Sequence, residues 1–197
     1  MAGATTYQLD WQGPLALVAS GKDYFLDSPA AQRPGIYMWA FEYHQGYLIY
    51  GAGLTTRPLA SRIREDLRSI RSGEWTVLDG PSAQSGVRRE FWHGMWATYN
   101  TPARQAERAA RRVEIERAAD AMLSHMRVFL ANLPPDKRVL GRVEAAIMNL
   151  LYAGASPICD LPDKGMHLEP RRPDERAMTM LSRAGVTLHG LPSSFEA

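Results

Sequence analysis

The stretch PGIYMWAFEYHQGYLIYGAG, residues 34–53, decides how the fold is read. Pro34-Gly35 closes a polar loop, and Ile36 to about Tyr43 then has the aromatic and apolar make-up of a strand. His44-Gln45-Gly46 supplies a turn, and Tyr47-Leu48-Ile49-Tyr50 returns as a second strand. So short a connection makes the pair antiparallel. Tyr37 on the first strand and Tyr47 and Tyr50 on the second therefore share one neighbourhood. Cross-strand packing accounts for such tyrosines as readily as chemistry does.

Downstream, Thr55, Thr56 and Pro58 announce a helix. Leu59, Ile63, Leu67 and Ile70 keep helical spacing and give it one apolar stripe, with Arg57, Arg64, Arg68 and Arg71 mostly off it. Residues 72–100 carry Gly, Ser and Trp, with short strands expected at Trp75–Leu78 and near Phe91–Ala97. One long Arg/Ala/Glu helix is expected from about Pro102 to Ser124, its charges spaced for i,i+4 pairing. MRVFLA at 126–131 reads as a third strand, and Val139 to about Ala153 as a helix with Leu140, Val143, Ile147 and Leu151 inward. In the tail, Pro173-Asp174-Glu175 starts a helix that Gly185 stops, followed by a strand at 186–191. Upstream, residues 7–19 form a short packed element and 20–34 a loop.

With 197 residues, 45% hydrophobic and 22% charged, the chain builds a packed core and is not disordered. A single cysteine excludes a disulfide scaffold or a Cys-rich zinc module, and no apolar run is long enough for a transmembrane helix. The start, Met1–Thr6, lacks the features of a signal peptide, so a cytoplasmic location is expected. The net charge of +2 conceals a pattern: residues 1–56 sum to −2, 57–142 to +6 and 143–197 to −2. Of the 23 basic residues only Lys22, Lys137 and Lys164 are lysines. Arginine's planar fork suits phosphate, although arginine preference also follows from GC-rich codons.

Several catalytic arrangements are missing. The histidines (His44, His93, His125, His167, His189) show no zinc-ligand spacing. GPSAQSG at 80–86 is not a nucleophile elbow, there is no P-loop, and Gly51-Ala52-Gly53 lacks the rest of a dinucleotide loop. What remains is Arg62 beside the apolar stripe and Glu144 beside another, in a stretch with no other charge from Val143 to Cys159. A carboxylate in that position is costly unless paired or metal-bound, although a place in the early turns of a helix also favours an acid.

Together these residues resemble the GIY-YIG nuclease superfamily. Pro34-Gly35-Ile36-Tyr37 and Ile49-Tyr50-Gly51 are similar to its paired strands, Leu59–Leu67 to the helix bearing its arginine, and Arg142–Ile147 to the helix bearing its metal-binding glutamate. The element order is similar too, over about residues 33–160. The resemblance implies an α+β fold: a small antiparallel sheet of about three strands flanked by helices. It implies 1–32 as an N-terminal extension, 33–160 as the nuclease-like domain with 72–100 enlarged, and 161–197 as a C-terminal extension on the same domain.

The function so implied is a metal-dependent phosphodiesterase, an endonuclease hydrolysing DNA, with single strands or RNA as further substrates. Glu144 would hold Mg2+ or Mn2+, Arg62 would neutralise the phosphoryl charge, and Tyr37 would orient or deprotonate water. Tyr50 or Tyr47 would complete the cluster, because Ile49 takes the place of the family's second tyrosine. Asp66 stands where the family often has His or Tyr, and would accept a proton or help hold the cation. Arg57, Arg64, Arg68, Arg88 and Arg89 would contact nucleic acid. The 72–100 region, with Trp92, His93 and Trp96, is either a specificity loop or a flap sealing the core. A dimer would suit cutting of both strands. Two alternatives stand beside this reading: a catalytically weakened nucleic-acid-binding module, and a soluble α+β interaction protein.

Overall fold

Period-2 alternation along the first strand sets the layering. Ile36, Met38 and Ala40 enter one core, and Tyr37, Trp39 and Phe41 the other. A strand buried on both faces needs helices on both faces. The computed structural model describes residues 5–19, 23–95 and 100–197. Its hairpin is β2 (Gly35–Tyr43) and β3 (Gly46–Thr55), turning at His44, whose φ of 49° is left-handed.

Around the hairpin lie β1 (Thr5–Ala16), α1 (Leu59–Arg71), β4 (Val77–Leu78), α2 (Gly80–Gln84) and β5 (Glu90–Trp92). The chain continues through α3 (Pro102–Ala110), α4 (Arg112–His125), β6 (Met126–Asn132) and α5 (Lys137–Ala153). Three short strands end it: β7 (Met178–Ala184), β8 (Thr187–His189) and β9 (Ser194–Glu196).

The strands form a mixed seven-stranded sheet in the order β8-β3-β2-β6-β1-β7-β9, with β4 and β5 as a separate two-stranded ribbon. β2 pairs antiparallel with β3 and β6, whereas β1–β7 and β3–β8 are parallel. On one face Leu59, Ile63, Leu67 and Ile70 of α1 and Ile115, Ala119, Met122 and Leu123 of α4 pack against Tyr37, Trp39 and Phe41. On the other, Leu140, Val143, Ile147, Met148 and Leu151 of α5 cover Ile36, Met38 and Phe129, joined by Leu9, Met180 and Phe195. Burying a large apolar side chain is worth about 1.5–3 kcal/mol, so both layers hold the sheet.

This architecture corrects the expected fold. A sheet of about three strands becomes seven because both ends of the chain contribute. β1 adds to β6, and β7 then adds to β1 in register from Thr5↔Met178 to Trp11↔Ala184. The likeness to a GIY-YIG nuclease therefore does not extend to sheet topology, and the family assignment falls with it. The expected helix from Pro173 to Gly185 is coil followed by β7: Met178, Met180 and Ser182 alternate inward, which is a strand's period. The long helix over 102–124 breaks at Arg111, separating α3, which buries nothing, from α4, which is anchored in the core. Among the described residues, no helix is long and apolar enough to cross a membrane.

Candidate functional site

Asp66 lies one helical turn beyond Arg62 on α1, and its side chain is only 1% exposed. An acid buried so deeply needs partners. Tyr37, itself buried, donates its hydroxyl hydrogen to Asp66 Oδ2, and Arg62 Nε sits 3.2 Å from Asp66 Oδ1 and 3.3 Å from the Tyr37 oxygen. Gly53, paired with Tyr37 across the hairpin, makes room for the ring: a Cβ there would fall 2.3 Å from Tyr37 Cζ. Arg62 is thus held by its Nε, while 37% of its side chain stays exposed and its Cζ lies 6.0 Å from the Trp75 ring.

Burial dominates the electrostatics. It pushes the Asp66 carboxyl up to about 6, against the opposing pull of the Tyr37 hydroxyl and the Arg62 charge. The Tyr37 phenol is held well above its ordinary value by burial and then by the Asp66 charge. Glu144, on α5 at the opposite face of the sheet, makes no hydrogen bond or ion pair among the described residues. Burial lifts its carboxyl to about 7, Arg62 pulls it down and Glu169 pushes it further up. β8 pairs with β3 from Gly46 to Leu48, so among the described residues β3 has no strand partner on that side from Ile49 onward. There Met148 of α5 covers the Ala52 N–H with its sulfur at 3.2 Å.

The expected site residues therefore divide. Tyr37, Arg62 and Asp66 touch, and Glu144 joins them through its field. Tyr50 does not join: its hydroxyl donates to Asp163 Oδ2 at 2.7 Å. Tyr47 packs edge-on against Phe129 in the other layer, with ring centroids 5.2 Å apart. Sequence reasoning missed Asp163, which carries no local motif and lies 113 residues from Tyr50. Chemically, the cluster offers an oriented guanidinium and two carboxyls that exchange protons near neutrality, the kind of perturbation that marks functional sites.

The expected metal centre does not assemble. Among the described residues no group of three His, Cys, Asp or Glu side chains converges to hold an ion. Among the described residues, Glu169 is the acid whose charge acts on Glu144, too few donors for a cage. With the sheet topology, this overturns the expectation of a magnesium-dependent GIY-YIG endonuclease.

The expected nucleic-acid arginines also divide. Arg57 is held by Glu65 through two bonds of 3.0 and 2.8 Å, and Arg88 by Glu90, Asp163 and the Leu161 carbonyl. Arg89 is exposed, and Trp96 lies outside the described residues. Arg64 and Arg68 are exposed and line a groove with Leu17, Val18, Tyr24 and Arg71. Arg68 and Arg71 also line an adjoining groove of about 440 Å³ with Arg108, Arg112, Glu74 and Glu116. Arg71 is paired to Asp120 at 2.7 Å and Arg108 to Glu74 at 3.9 Å, whereas Arg64, Arg68 and Arg112 have no carboxylate partner among the described residues. Comparison with family models, with curated proteins and with solved structures gives no match.

Proposed function

We propose that this protein is a nucleic-acid-binding module that grips the phosphodiester chain along α1 and the start of α4. The observation that carries the reading is the pair of adjoining grooves sharing Arg68 and Arg71, whose walls include Arg64, Arg68 and Arg112, without a carboxylate partner among the described residues. A guanidinium without a carboxylate partner is free to give phosphate two parallel hydrogen bonds. Successive phosphates need several such forks in a row, and α1 supplies them by its period. With Leu59, Ile63 and Ile70 buried, the solvent arc of the helix runs from Arg71 through Arg64 and Arg68 to Arg62 on the far flank.

Arg62 adds a contact of a different kind. Its Nε is committed to Tyr37 and Asp66 and its Nη1 lies 4.0 Å from Glu65 Oε2, so the fork is oriented before any ligand arrives. Glu144 and Asp66 make that contact responsive to pH, because an anion beside them is favoured when they are protonated.

The test is fluorescence anisotropy with labelled single- and double-stranded oligonucleotides over a salt series. Three single-strand phosphate contacts give a log–log salt slope of about −2, or roughly 20-fold weaker binding for a fourfold rise in salt. The triple variant Arg64→Ala/Arg68→Ala/Arg112→Ala flattens that slope by about 2. Binding with an unchanged slope in the triple variant refutes the assignment.

A further inference from the structure

Between α5 and β7 the chain has no regular structure for some two dozen residues, yet it is tied down at both ends. At one end Asp163 is a hub. Its carboxylate accepts from Tyr50 Oη at 2.7 Å and from Arg88 Nη2, and its backbone carbonyl accepts from Tyr152 Oη at 2.7 Å. Arg88 Nη1 also donates to the neighbouring Leu161 carbonyl. At the other end Arg138 donates to the Glu169 and Pro170 carbonyls at 2.8 and 2.7 Å and pairs with Glu175.

Between these anchors Lys164, Gly165, Met166 and His167 are exposed and make no hydrogen bond among the described residues. The span follows one face of α5. Glu169 lies against Gly141, at 3.4 Å from where a Cβ would stand, and Asp163 lies at Tyr152. Glu144 falls between those points on the same helical face and feels the Glu169 charge, while Tyr152 feels both Asp163 and Glu144. The segment thus lays the Glu169 charge near Glu144 and the Asp163 carboxylate at Tyr50 and Arg88.

We propose that Asp163–Glu169 is an autoinhibitory strap. The Asp163 carboxylate occupies Arg88 and Tyr50 as a phosphate would, and an incoming phosphodiester chain displaces it and opens the strap. The ligand class rests on the nucleic-acid reading above; the latch rests on the contacts alone. A carboxylate and a phosphodiester each carry two anionic acceptor oxygens, so a phosphate can take the bonds that the two Asp163 oxygens accept from Arg88 and Tyr50. Opening takes the Asp163 carboxylate off Tyr50 and Arg88 Nη2, leaving Glu90 as the carboxylate partner of Arg88 among the described residues and one edge of the guanidinium open to a phosphate oxygen.

The experiment compares wild type, Asp163→Ala and Asp160→Ala. The last removes the same charge three residues away, at a side chain that bonds Ser156 and Cys159 and feels the Lys164 charge, so it also controls for the loss of an acid near the cut site. One readout is oligonucleotide affinity over a salt series. The other is the rate of tryptic cleavage after Lys164, followed by mass spectrometry. Asp163→Ala is expected to bind roughly threefold more tightly at low salt, with a slope steeper by about 0.7, one extra single-strand phosphate contact. Adding Arg88→Ala cancels that gain, and Asp160→Ala does not reproduce it.

Cleavage after Lys164 is expected to rise about tenfold in Asp163→Ala, the effect of losing a charge-assisted anchor on the open population. Oligonucleotide is expected to speed the same cut in wild type. If wild type binds but Asp163→Ala matches Asp160→Ala in affinity, the autoinhibitory role is overturned and the nucleic-acid reading survives. If no protein binds oligonucleotide, that reading fails, and an unchanged Lys164 cleavage rate in Asp163→Ala then overturns the latch as well.

Discussion

Glu144→Gln should make the folded protein more stable, by an amount that depends on pH in a stated way. The carboxyl is held at about 7 in the fold against an ordinary 4.5, because burial disfavours its charge and the Glu169 charge adds to that. Below pH 4.5 the group is protonated in both folded and unfolded chains and contributes nothing. Between 4.5 and 7 the unfolded chain releases the proton while the folded one keeps it, so stability falls as pH rises. Above 7 both forms are ionised and the loss is complete. At about 1.4 kcal/mol per pH unit the ceiling is about 3 kcal/mol, and with partial exposure about 2 kcal/mol is expected. Glutamine fills the same volume without the charge. Urea denaturation at pH 4, 6 and 8 should show no difference from wild type at pH 4, an intermediate gain at pH 6 and the full gain at pH 8. A variant less stable than wild type at pH 8, or one whose difference ignores pH, would refute the claim that Glu144 is an unpaired acid kept at a stability cost.

Other outcomes follow from the same contacts. Arg62→Ala removes a 37% exposed cation beside a carboxylate that is 1% exposed and keeps its Tyr37 bond, and is expected to destabilise by about 1–2 kcal/mol at pH 7; the loss should shrink as pH falls below the Asp66 value, because a protonated Asp66 no longer needs the charge. Gly53→Ala forces a Cβ to 2.3 Å from the Tyr37 ring and should cost about 2 kcal/mol in urea melts, with the Tyr37–Asp66 contact displaced in a structure of the variant. Glu175→Gln should behave in the opposite sense to Glu144→Gln: Arg138 and the Arg172 N–H hold that carboxyl at about 2, so its contribution is present above pH 4.5 and is lost as pH falls towards 2. In stability curves the variant should sit below wild type at pH 7 and converge with it in acid.

What was readable in the sequence was local. The hairpin, α1, β6 and α5 follow from period and turn chemistry, and each lies close to its expected place. Arg62 and Asp66, four residues apart on one helix, were bound to be neighbours wherever that helix packed. The sheet's outer half was not readable, because it depends on a parallel pairing between Thr5–Trp11 and Met178–Ala184, and no turn or spacing joins segments so far apart. The helix expected at 173–185 shows the limit of end signals: Gly185 follows the end of β7, but Pro173 precedes coil and not an element, and the inward alternation of Met178, Met180 and Ser182 decides the segment's form. Tyr50 was placed beside Tyr37 by strand neighbourhood alone. The bulge between Trp39 and Ala40 shifts the register by one residue, so Tyr50 stays on the Tyr37 face, yet Asp163 claims its hydroxyl.

The most direct test of the nucleic-acid account is a hydrogen-exchange footprint taken with and without a single-stranded oligonucleotide at low salt. Protection is expected to concentrate in residues 62–71 of α1 and 105–116 of α3 and α4, which carry the groove-lining Arg64, Arg68, Arg71, Arg108 and Arg112. Saturating oligonucleotide that leaves both segments unchanged, or protects β7 and β9 instead, would contradict it.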